Sequence, residues 1–133
     1  MGHLCLNCEQ ADMVRRKKDA VIAYRGHQTT VRALDGWHCP ACGEIEFAGK
    51  EGERYAHALE KLHLKVDAEE AAELVRIRKK LGLSQRRAAE LTGGGVNAFS
   101  RYENGKTKPP LALVKLLKVL DRHPELLNEV RTA

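Results

Sequence analysis

The spacing of apolar positions changes along the chain near residue 50. Before it, the β-prone runs Ala20-Val21-Ile22-Ala23-Tyr24 and Thr29-Thr30-Val31-Arg32-Ala33 flank Arg25-Gly26-His27. Two such runs around a glycine-containing turn predict a hairpin. Beyond it, Tyr55, Ala58, Leu59 and Leu62 recur at i, i+3, i+4, i+7, which predicts a helix over 50–66. Asp67-Ala68-Glu69-Glu70 has the spacing of an N-cap with a capping box, which predicts a helix start and a domain boundary there. A helix over 69–81 follows, with Leu74, Ile77 and Leu81 as its apolar stripe and Gly82 closing it. Arg76, Arg78, Lys79 and Lys80 crowd its other faces.

The next two helices carry a more specific signal. One opens at Ser84-Gln85 and runs to Thr92; the other covers 96–103, and Gly93-Gly94-Gly95 separates them. Gln85, Ala89, Gly93 and Phe99 fall at the offsets of a helix-turn-helix: Gln85 can bond a phosphate, Ala89 permits close approach, Gly93 makes the turn, and Phe99 anchors the second helix from inside. Asn97 and Arg101 are four apart and share a helix face, and these side chains pair well with adenine and guanine edges in the major groove. Lys79, Arg86, Lys106 and Lys108, with Gln85, are candidates for phosphate contact. No Gly-Lys-Ser/Thr follows the triple glycine, so it is not a nucleotide loop.

The following helix, 111–122, is apolar over more of its circumference than a small core buries: Leu113, Leu116, Leu117 and Leu120 form one stripe, and Ala112, Val114 and Val119 widen it. With Leu126, Leu127 and Val130 from a last helix, this face predicts a homodimer through the C-terminal domain, in keeping with paired half-sites.

Composition narrows the reading. The 133 residues suffice for one ordinary domain or two small ones. Residues 1–68 hold ten Lys/Arg and ten Asp/Glu, while residues 69–133 hold thirteen and eight, so the whole net charge of +5 lies with the helix-turn-helix. That fits a phosphate-binding footprint. No apolar run approaches a membrane span and no secretory signal opens the chain, so the expectation is a cytoplasmic, reducing compartment without structural disulfides.

The four cysteines form two Cys-x-x-Cys pairs, Cys5/Cys8 and Cys39/Cys42, with 30 residues between them. Each pair offers two thiolates from one turn, and two such knuckles make a closed tetrahedral set for one structural Zn2+ per chain. A redox pair would call for a thioredoxin-like βαβ context, which is absent. His3 and His38 lie beside the ligands as bystanders, and Trp37 reads as core packing. No unused His/Asp/Glu cluster accompanies the cysteines for acid–base work, so the chain does not read as an enzyme. The fold class is α+β: a zinc-ribbon β domain with a helix over 1–67, then an all-α, five-helix, lambda-repressor-like helix-turn-helix domain over 68–133.

The order of parts resembles the MqsA family of antitoxins. The resemblance rests on the two Cys-x-x-Cys knuckles, on Gly93-Gly94-Gly95-Val96-Asn97-Ala98-Phe99-Ser100-Arg101-Tyr102-Glu103, and on Leu116-Leu117-Lys118-Val119-Leu120-Asp121-Arg122-His123-Pro124-Glu125-Leu126-Leu127-Asn128-Glu129. It implies an N-terminal zinc domain that binds and neutralises an MqsR-like ribonuclease toxin. It also implies a C-terminal domain that dimerises and represses its own operon at a palindromic operator in double-stranded DNA. Cys5, Cys8, Cys39 and Cys42 match the family's zinc ligands, and Asn97 and Arg101 its base-contacting positions. The alternative is a stand-alone helix-turn-helix regulator with a structural zinc domain and no toxin.

Overall fold

A computed structural model describes residues 2–133, which divide into two compact units meeting at Leu64/Lys65. Unit 1 is built on a three-stranded antiparallel sheet, β1 (Val14–Tyr24), β2 (His27–His38) and β3 (Ile45–Phe47), in that spatial order. The predicted hairpin is present and longer than the β-prone runs suggest. Tyr24 pairs with His27 across a two-residue turn in which Arg25 and Gly26 both have positive φ, the geometry that matches strand twist. The strands extend through Arg15-Arg16-Lys17-Lys18, whose charged side chains suit the exposed edge strand they occupy. Between Lys18 and Ala20 the register shifts. Asp19 stabilises the irregularity by accepting the Ala33 N–H at 2.8 Å, and Ala33 is itself left-handed at φ 49°. Ile22, Val31, Leu34 and Leu62 are the buried apolar side chains here, and a second cluster gathers Cys5, Met13 and Cys39 with Cys8, Ala11 and half-buried Trp37 around it.

The capping box at Asp67 does not form. A single helix, α1, runs from Glu51 to Lys80, with the unit boundary inside it. The segment around Asp67 holds no glycine or proline, so an aspartate there costs the helix only a fraction of a kcal/mol, roughly 0.5. Its carboxylate lies 3.6 Å from Lys108 Nζ instead of capping. The helix ends as the sequence predicts: Gly82 (φ 71°) is the left-handed residue, Gly82 N–H donates to Lys79 O and Leu83 N–H to Arg78 O. That pair of bonds is a Schellman closure, and it turns Leu83 back into the core.

Unit 2 continues with α2 (Gln85–Thr92), α3 (Ala98–Glu103), α4 (Leu111–Arg122), a 3-10 turn at Pro124–Leu126 and α5 (Leu127–Thr132). Ser84 caps α2 by accepting the Arg87 N–H at 3.0 Å. Leu74, Ile77, Leu83, Ala88, Ala89, Ala98, Phe99, Tyr102, Val114, Leu117 and Leu120 make one contiguous core. Of the wide apolar surface of α4, Val114, Leu117 and Leu120 are buried, while Leu111 and Val119 are exposed.

Candidate metal centre and nucleic-acid interface

The two knuckles share one local design. Cys5 O accepts the Glu9 N–H at 2.9 Å and Cys39 O accepts the Gly43 N–H at 3.0 Å. In each, the residue after the second cysteine is left-handed, Glu9 at φ 55° and Gly43 at φ 80°. This turn sends both thiols of a pair the same way. The strands then bring the pairs together: Cys5 Sγ lies 3.7 Å from Cys42 Sγ, Cys8 Sγ lies 3.6 Å from Cys39 Sγ, and all four sulfurs fall within 4.8 Å of one another.

Four sulfurs about 2.3 Å from a central zinc stand about 3.8 Å apart, so the observed spacing fits a tetrahedral ion. Among the described residues no imidazole or carboxylate joins the cluster. A metal held this way keeps no coordination position for water, which suits a structural role and not a catalytic one. Asn7 Nδ2 donates to Cys42 Sγ at 3.5 Å, and this bond, with that of the Glu44 backbone, draws the Cys42 thiol down to about 6. The Cys42 backbone N–H lowers the Cys39 thiol as well. Thiolate is the form a metal takes up. The two bystander histidines are engaged elsewhere. His38 is buried with Nε2 3.0 Å from Leu34 O, and His3 stacks on Trp37 at 4.5 Å while its Nε2 meets Glu46 at 2.8 Å.

In unit 2 the segment 93–97 joins α2 to α3. Gly94 is the demanding position: it holds φ 91°, and a Cβ there would lie 3.2 Å from the Ala98 Cβ and 3.3 Å from the Tyr102 hydroxyl. The helix expected over 96–103 starts two residues later. Val96 is outside it and 65% exposed, and Asn97 is the N-cap residue. Asn97 makes no side-chain capping bond and is exposed. Asn97 O accepts the Arg101 N–H at 3.1 Å, which places the two residues on consecutive turns as the spacing requires. Both are exposed, and Arg101 Nη2 donates to Gly94 O at a long 3.5 Å. Behind them Ala98 and Phe99 are wholly buried and Tyr102 nearly so, with Phe99 and Tyr102 edge to face at 5.7 Å. An exposed Asn at the start of a helix and an exposed Arg one turn later, with the helix anchored from behind, have side-chain chemistry that can contact base edges.

The phosphate candidates separate into two groups. Lys79 and Lys106 are exposed, as is Arg86, which makes only a loose 3.5 Å pair with Glu90. Lys108 is exposed beside Asp67. Gln85 is different: its Nε2 donates to Glu103 Oε2 at 3.2 Å, a partner the helix-turn-helix offsets do not reveal. Glu103 in turn accepts from Arg78, whose Nη2 lies 2.8 Å from Oε1. Arg78, one of the cations that crowd the other faces of its helix, therefore enters a largely enclosed pair, its side chain 12% exposed. No local pattern announces this, because the partners are 25 residues apart.

Residues 3–131 match the family described as the antitoxin component of bacterial toxin-antitoxin system, MqsA. The chain is also 43% identical over 129 residues to "Antitoxin MqsA" of Escherichia coli (strain K12), an alignment that spans 96% of this chain and 98% of that protein.

Proposed function

From the premise that this chain belongs to the MqsA family of antitoxins, we propose that unit 1 binds and neutralises an MqsR-like ribonuclease toxin and that unit 2 represses the chain's own operon. The protein works by occupancy, in the cytoplasm, and carries out no reaction. Unit 1 holds one Zn2+ through Cys5, Cys8, Cys39 and Cys42, and the metal's contribution is to fix the two knuckles relative to the sheet. Among the described residues no helix is long and apolar enough to cross a membrane.

The observation that carries the repressor reading is the pairing of exposed Asn97 and Arg101 over a fully buried anchor, Ala98 and Phe99. On a palindromic operator these two side chains contact base edges in each half-site. Lys79, Arg86, Lys106 and Lys108 contact phosphates, and Gln85 does so through the N–H it does not give to Glu103. A homodimer supplies the second half-site. Leu111, 41% exposed, and Val119, 36% exposed, with half-buried Leu113, Leu116, Leu127 and Val130, are the surface offered for it.

The test is a titration of wild type, Arg101→Ala and Lys106→Ala on DNA from upstream of the chain's own gene and on a scrambled duplex, at two salt concentrations. Arg101→Ala should lose about 1–3 kcal/mol per half-site on the native duplex only. Lys106→Ala should weaken both duplexes and flatten the salt dependence. Full preference retained by Arg101→Ala would remove α3 as the reading helix. Co-purification of the chain with the product of the adjacent gene tests the toxin half of the proposal.

A further inference from the structure

We infer that Glu103 is a positioning residue for base reading: it holds the reading helix and the first residue of α2 in one frame, fixed to α1 by Arg78. The inference rests on α3 being the reading helix. Glu103 is the last residue of α3, and its side chain is 7% exposed; that of Arg78, near the end of α1, is 12% exposed. The guanidinium forks onto the carboxylate, with Nε 3.2 Å from each oxygen and Nη2 2.8 Å from Oε1, and its remaining arm, Nη1, donates to Leu83 O at 2.9 Å. Gln85, which opens α2, donates to Oε2 of the same carboxylate at 3.2 Å. Three helices thus meet at one buried charge. A planar fork on a carboxylate fixes orientation as well as distance, which an apolar contact does not.

Glu103 lies two residues from Arg101 on a six-residue helix, so a rotation of α3 about its Phe99 anchor is opposed within one turn of the base-reading residue. The same carboxylate fixes the Gln85 amide, leaving its second N–H pointing away from the pair. Loosening the clamp therefore blurs two DNA contacts at once, though neither Arg78 nor Glu103 touches DNA. Among the described residues no buried side-chain nitrogen or oxygen lacks a partner, so cutting out one member creates an uncompensated buried charge.

For that reason the decisive variant is double. Arg78→Met with Glu103→Leu replaces the pair by apolar side chains of similar size, an exchange that commonly leaves stability intact. Binding is measured by titration on the native upstream duplex and on its scrambled counterpart, with thermal melting in parallel. The expected result is a melting temperature close to wild type, an equal weakening on both duplexes from the loosened Gln85 phosphate contact, and preference for the native over the scrambled duplex reduced roughly tenfold. Wild-type preference at wild-type stability would overturn the inference and leave the pair a structural one. If the double variant fails to fold, Glu103→Asp serves: it keeps the charge and withdraws the carboxylate by one methylene. Preference lost with the fold retained supports positioning, and preference retained overturns it. Arg101→Ala, run beside them, separates the two readings. If it too keeps full preference, α3 is not the reading helix and the clamp inference falls with that proposal; if it alone loses preference, only the clamp is wrong.

Discussion

In unit 1 the buried apolar set includes two of the clustered cysteines, Cys5 and Cys39, alongside Met13, Ile22, Val31, Leu34 and Leu62. In unit 2 it is a contiguous cluster from Leu74 to Leu120 that includes wholly buried Phe99, and the same unit holds the largely enclosed Arg78–Glu103 pair. The contrast shows two ways of making a small unit stable. A sheet of three strands, one of them three residues long, gains order by tying two knuckles to a common point. A helical unit of similar length gains it by burying Leu, Ile, Phe and Ala from successive helices. The units should therefore fail under different insults.

Removing the metal should break the comparison most visibly. A structural zinc site contributes on the order of 10 kcal/mol or more to folding, more than a sheet this small carries otherwise. Chelation should erase the β signal and the dispersion of unit 1 amide resonances while the helical signal of unit 2 persists. Elemental analysis of protein purified without chelators should find one zinc per chain, and finding none would end the account of unit 1.

The reciprocal insult is Phe99→Ala. It empties a wholly buried site under α3 and should cost unit 2 roughly 3–5 kcal/mol. Zinc content should be unchanged, and the lower of two melting transitions should then belong to the helical unit. A Val119→Glu substitution is gentler. Val119 is 36% exposed, so folding should shift by no more than about 0.5 kcal/mol, while sedimentation should move toward the monomer if α4 forms the dimer contact. An unchanged sedimentation coefficient would move the search for self-association elsewhere.

Acid should sharpen the comparison, and its effect on unit 2 is the smallest of these. Hydrogen bonds from Arg76, then from Lys80, lower Asp121 to about 2. Its folded pKa lies below its unfolded value of about 3.9, so its stabilisation of unit 2 is complete above that value and disappears as pH falls from about 4 toward 2. Unit 1, whose four thiolates must stay deprotonated to hold metal, should release zinc and unfold at a higher pH than unit 2. Asp121→Asn should make the low-pH slope of unit 2 shallower, with Glu73, whose carboxyl Arg76 also holds below its ordinary value, keeping part of it, and should leave unit 1 untouched. Thermal melts followed across this pH range read both outcomes.

By itself the sequence determined whatever depends on neighbours along the chain. The Cys-x-x-Cys spacing places two thiols on one turn whatever surrounds it, and the observed sulfur cluster follows once the pairs meet. Gly82 ends α1, Ser84 starts α2 and the glycines before α3 make its turn, because positive φ and side-chain capping are local requirements. The buried Phe99 and the exposed Asn97 and Arg101 follow from helical period. Tertiary structure decided the rest. Asp67 reads as a cap but lies inside a continuous helix facing Lys108, since a capping motif states only a local preference of about 1 kcal/mol. The short strand β3 carries too little pattern to be seen before β2 pairs with it. Arg78 reads as one of four cations on the other faces of its helix until Glu103 arrives from another helix, and Gln85 as a phosphate ligand until the same carboxylate claims one of its N–H groups. A buried ion pair exists only where packing has already excluded water from both partners, and no stretch of sequence around either one carries that information.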